Sequence, residues 1–78
     1  MTYQDVKNIA GKLGWNVSID EERLNFCFCG KKDFSFAIFA NSVIELISKV
    51  RLLAYNYAED KPFKEKLDEL SGALVKKL

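Results

Sequence analysis

The chain has 78 residues, of which 49% are hydrophobic and 29% charged, with a single proline; this balance excludes a disordered or low-complexity chain and leaves room for one domain. Twelve Lys and Arg against eleven Asp and Glu leave a formal charge of +1, so no long-range field recruits nucleic acid or an anionic membrane, and no acidic surface imitates DNA.

The opening "TYQD" sets Thr2 three residues before Asp5, a variant of the capping box, and Val6, Ile9, Ala10 and Leu13 then recur at helical spacing. A first helix over residues 3–13 is predicted. Gly14 stands where helices commonly end in a left-handed residue, and Trp15, Val17 and Ile19 alternate with Asn16, Ser18 and Asp20 as a half-buried strand over 15–19. After the polar turn "DEER", Leu24, Phe26 and Phe28 alternate with Asn25, Cys27 and Cys29. Facing Ile19 with Leu24, Val17 with Phe26 and Trp15 with Phe28 gives the hairpin one apolar face.

"GKKD" turns the chain again, and Phe34, Phe36, Ile38 and Ala40 alternate with Ser35, Ala37 and Phe39. An odd connection pairs Phe28 with Phe34 and Phe26 with Phe36 and keeps three strands on one core face; an even one sets Cys27 opposite Phe36 and mixes the faces. The odd connection is the expectation. Ser42 with Glu45 forms a capping box, and Val43, Leu46, Ile47, Val50, Leu53, Ala54 and Tyr57 make one stripe of a helix over about 42–58. "EDKPF" ends it. Pro62 suits a helix start, and Phe63, Leu67, Leu70, Leu74 and Leu78 continue at helical spacing over 62–77, with fraying expected after Ser71 and Gly72. The predicted class is α+β: order α-β-β-β-α-α, an antiparallel three-stranded meander with helices packed on one face, in a single domain 1–78.

The start has neither the basic segment nor the apolar run of a secretion signal, and no stretch approaches the ~18 apolar residues of a membrane span, so a cytoplasmic protein without a membrane partner is expected. Cys27 and Cys29, two apart on a strand, point the same way but rarely reach disulfide geometry; free thiols are the simpler reading. As two thiolates they could share a zinc ion with a second copy, but the chain has no histidine, and packing is preferred to metal. The absence of histidine also removes the commonest general base, and the paired carboxylates Glu21–Glu22 and Glu59–Asp60 fall in turns. No enzyme activity, cofactor or metal is expected.

Two resemblances bear on function. The α-β-β-β-α order resembles that of double-stranded-RNA-binding domains, and Lys31, Lys32, Lys76 and Lys77 could touch phosphates, which implies a nucleic-acid-binding module as the alternative function. In those domains a lysine cluster opens the last helix; here "NSVIEL" occupies that place. The short helix, the meander ending in "GKKDFSFAIFA" and the two closing helices resemble, over nearly the whole chain, small phage- or mobile-element-encoded proteins, including anti-CRISPR inhibitors of Cas9. That resemblance implies a small inhibitor or accessory protein. The inhibitors concerned are acidic DNA mimics and this chain is near neutral, so no binding residues carry over.

The expected function is protein binding without chemistry. In the predicted register the sheet face away from the helices carries Asn16, Ser18, Asn25, Cys27, Cys29, Ser35, Ala37 and Phe39, polar at its edges and apolar at its centre, so Cys27, Cys29, Ala37 and Phe39 are the candidate contact residues. The stripe Phe63, Leu67, Leu70 and Leu74 has nearly coiled-coil spacing. Two helices already cover a three-stranded sheet, so the third is expected either to dock beside the second or to pair with another copy as a homodimer.

Overall fold

A computed structural model of the chain describes residues 2–30 and 34–78. Its elements follow the predicted order: α1 Tyr3–Lys12, β1 Asn16–Asp20, β2 Asn25–Cys29, β3 Ser35–Phe39, α2 Val43–Asn56 and α3 Lys61–Lys76. Lys31 and Lys32 lie outside the described residues.

Local chemistry sets the ends of these elements. Thr2 Oγ1 accepts from the Asp5 backbone N–H at 3.3 Å and Asp5 Oδ2 accepts from the Thr2 N–H at 2.9 Å, so the box at α1 closes in both directions. The second predicted box is only half made. Ser42 Oγ accepts from the Glu45 N–H at 3.1 Å, but the Glu45 carboxylate turns to Lys49, 3.1 Å away, and to Asn41. Gly14, at φ +93°, carries the chain from α1 into β1 through a conformation that side chains with a Cβ disfavour. Asp60 Oδ1 accepts from the Phe63 N–H at 3.3 Å, and Pro62 stands in the first turn of α3, where no intrahelical donor is lost. Helix α3 continues unbroken through Ser71 and Gly72, where fraying was expected. Ser71 is buried and donates to the Asp68 carbonyl at 3.1 Å, so this turn of the helix is held by packing that outweighs the cost of the glycine.

The sheet is the predicted antiparallel meander, β1-β2-β3. Its faces are those expected, but both pairings are displaced by two residues. Val17 pairs with Phe28 and Ile19 with Phe26, whereas Phe26 and Val17 had been expected opposite each other. In the second hairpin the connection is odd, as expected, but Phe28 pairs with Phe36 and Phe26 with Ile38. A shift of two keeps every side chain on its face, while a shift of one would have reversed them all. The first shift has a visible cause. Asp20 remains in the ladder opposite Asn25 and its Oδ1 accepts from the Glu22 and Arg23 N–H groups, while Leu24 adopts φ 54° to rejoin β2, so the turn is "EERL".

Helix α1 packs along β1, α2 along β3, and α3 lies on both α1 and α2. The core between helices and sheet contains Val6, Ala10, Trp15, Val17, Phe26, Phe28, Leu46 and Val50, with Phe34 and Phe36 partly buried against it. Its aromatic part is a linked set of rings. Phe28 stacks on Phe36 at 4.8 Å, Trp15 meets Phe36 edge-on at 5.3 Å, and Phe63 stacks on Phe34 at 5.4 Å, which ties the start of α3 to the hairpin.

The third stripe is not left over. Phe63, Leu67, Leu70 and Leu74, put forward as a self-association surface, are all buried within the one chain. Of the two expected arrangements, docking beside α2 is the one observed. The physical reason is that α3 packs mainly on other helices and reaches the sheet through Phe63, so the area of the strands does not limit how many helices the core can hold.

Candidate protein-binding face

The residues that face away from the helices form three cross-strand rows. Asn16, Cys29 and Ser35 make one; Ser18, Cys27 and Ala37 the middle one; Asp20, Asn25 and Phe39 the third. The pleat produces this arrangement directly, because residues two apart on each strand share a face and the antiparallel register sets them side by side. All four candidate contact residues therefore lie on one surface, with Cys27 at its centre flanked by Ser18 and Ala37.

No helix among the described residues covers these rows. Ser18, Cys29, Ser35 and Ala37 are exposed, Asn25 and Cys27 are half-buried, and the Phe39 ring is 63% exposed at the β3 margin. The three rows contain one charged residue, Asp20, whose carboxylate lies 3.8 Å from Arg23 within its own turn. The middle is a neutral surface of one methyl group, a thiol and a hydroxyl. Asn25 donates from Nδ2 to Cys27 Sγ at 3.6 Å, while its Oδ1 is buried without a hydrogen-bond partner. A buried amide oxygen without a donor is costly, and because it is buried it is closed to a group arriving from solvent.

Both cysteines are free, Cys27 half-buried and Cys29 exposed. Among the described residues, no three acidic, cysteine or histidine side chains are grouped to hold a metal ion. No helix among them is long and apolar enough to cross a membrane. Lys76 ends α3 and Lys77 caps it, away from the sheet rows, while Lys31 and Lys32, the other half of the basic set considered for phosphate contact, fall outside the described residues.

The structure also shows a second apolar surface that the sequence reading passed over. Ile44 is 66% exposed, Leu52 59% and Tyr55 78%, all on the outward side of α2. The signal was present: Ile44 and Tyr55 are spaced three helical turns apart, and with Leu52 they fall outside the stripe that begins at Val43. Beside Ile44 a groove of about 500 Å3 is lined by Tyr3, Val43, Ile44 and Leu78, with Thr2 and Ser42 at its polar end. Comparison with protein-family models, curated proteins and solved structures finds no match for the chain.

Proposed function

We propose that the protein is a small, non-enzymatic binding factor that presents the open face of its sheet to another protein. The observation that carries this reading is Phe39, a large ring held 63% exposed at the margin of a nearly uncharged sheet face while four other phenylalanines of the same hairpin turn inward. An aromatic on a rigid strand is a suitable anchor, because little conformational entropy is lost when it is covered. Cys27 and Ala37 supply the flat surface beside it. An inhibitory or accessory role, as in the phage-encoded proteins that the element order resembles, is the form of action we attach to this face.

The test is a comparison of three purified chains as bait: the parent, Phe39→Ser, and Glu65→Lys, the last on exposed α3 surface as a control. A partner that is retained by the parent and by Glu65→Lys and lost by Phe39→Ser, with thermal melts unchanged, supports the reading. Equal retention by all three overturns it.

A further inference from the structure

We propose that the free edge of β3 takes an extended peptide segment of another protein as a fourth strand of the sheet. This rests on the reading of the sheet as a protein-binding element and names the form of the partner. The ladder fixes which backbone groups are free. The Gly30 N–H donates to the Phe34 carbonyl and the Ala40 N–H to the Leu24 carbonyl, so the even-numbered residues of β3 turn their backbone groups toward β2. The odd ones, Ser35, Ala37 and Phe39, therefore point theirs away from the sheet. All three residues are exposed, and among the described residues the one hydrogen bond to this edge runs from Lys49 Nζ to the Phe39 carbonyl.

The free groups specify their occupant. N–H and C=O groups alternate along one line with a repeat of about 6.8 Å, two residues of a strand, and an extended backbone presents the complementary row. A helix uses its own backbone groups internally, and a phosphate only accepts. The usual guards of an edge are missing from β3 itself: it contains no charge, proline or bulge, and Lys49 blocks only its last carbonyl. An added strand lies about 4.8 Å from β3 and continues both faces, so its residue opposite Phe39 comes within reach of the exposed ring. A β-branched or aromatic residue fits there, with a small one beside Ala37. Pairing two copies antiparallel about Ala37 would instead set each Phe39 against Ser35, leaving the ring without an apolar neighbour, so a separate peptide is the better-matched occupant.

The probe is a displayed library of random peptides selected on the full chain, the tightest binder then being synthesised. Its affinity should fall at least tenfold with Ala37→Pro, which removes an outward N–H but no ladder bond, and less with Phe39→Ser, which leaves the backbone row intact. Amide exchange of the parent supplies a second measurement. Ser35, Ala37 and Phe39 should exchange faster than Ile38 and Ala40, and the peptide should slow Ala37 and Phe39 at least tenfold. That pattern decides the question even where Ala37→Pro does not fold. A peptide released by Phe39→Ser but indifferent to Ala37→Pro, with no β3 amide slowed, overturns the added strand and leaves the sheet-face reading standing. A library that yields no binder also overturns it, as does a parent chain that pairs with itself through the β3 amides.

Discussion

Phe36 and Phe39 lie on the same strand, three residues apart, and their surroundings share almost nothing. Phe36 stacks on Phe28, meets Trp15 edge-on and leans on Phe63, whereas Phe39 pairs across to Asn25 and leaves 63% of its surface to solvent. The difference follows from an odd separation on a pleated strand, which sends the two rings to opposite faces. The helix-side face is selected by folding, since apolar area removed from water there adds to stability. The open face gains nothing of the kind, and the proposed binding role attributes its aromatic residue to contact with another protein.

The sharpest way to break this contrast is to remove one ring from each face. Phe28 is fully buried, so Phe28→Ala is expected to cost about 3–5 kcal/mol, enough to unfold much of so small a domain. Phe36, being only partly buried, should cost less. Phe39→Ser is expected to change stability by no more than about 0.5 kcal/mol. Chemical denaturation of the three variants checks the order. If Phe39→Ser unfolds the domain as Phe28→Ala does, the two faces are not different in kind and the binding reading fails.

A second variant tests how tightly the helix side is packed. A Cβ on Gly30 would stand 2.9 Å from the Trp15 ring and 3.2 Å from the Phe34 carbonyl, and the indole, itself buried, has little room to withdraw. Gly30→Ala should therefore destabilise the fold by about 1–3 kcal/mol through overpacking, with Trp15 fluorescence reporting the displaced ring. Gly11 and Gly72 meet nothing within 4 Å of an added Cβ, and alanine at either, inside α1 and α3, should be neutral or stabilising.

What the sequence made legible divides along the same line. The alternation of apolar and polar residues was enough to assign each strand residue to its face, because that property depends only on parity. The pairing partner depends on turn geometry as well. Nothing in "DEERLN" announces that Asp20 will hold its turn by accepting from Glu22 and Arg23, or that Leu24 will take a left-handed conformation, so the first ladder was expected two residues from its true register. The candidate contact residues were unaffected by that displacement, since a shift of two preserves the face. The exposed side of α2 was missed for another reason. Ile44, Leu52 and Tyr55 lie outside the stripe read for this helix, and only the packed structure shows that they are left exposed.

A smaller effect is expected from the centre of the open face. Cys27 and Cys29 make no disulfide, and among the described residues the one side-chain hydrogen bond to either thiol is the Asn25 Nδ2 to Cys27 Sγ bond at 3.6 Å. Replacing both with alanine should change stability by about 0.5–1 kcal/mol. Metal content of the purified chain, measured by mass spectrometry, should be the same before and after. A zinc ion carried by the parent and lost with the thiols would turn this face into a metal site and remove the basis for treating it as a plain contact surface.

The smallest expected effect depends on neither face, which makes it a control on the comparison. Asp5 has its pKa lowered chiefly by the hydrogen bond from the Thr2 backbone N–H, and Glu45 has its pKa lowered chiefly by its hydrogen bond with Lys49. A carboxylate whose folded pKa is depressed contributes stability that is present above its ordinary value and lost as the pH falls through the folded one. The ordinary values are 3.8 for Asp5 and 4.5 for Glu45, so the loss belongs to the acid side of that range. Both groups are exposed and the effect is modest. Asp5→Asn and Glu45→Gln should each melt slightly below the parent at neutral pH, and the gap should close in strong acid, where the parent carboxyls are protonated too. Phe39→Ser should show no such pH-dependent gap, because it removes no ionisable group. A gap that stays constant from neutral pH into acid for Asp5→Asn would mean that the helix start is held by packing and not by the charge at its first turn.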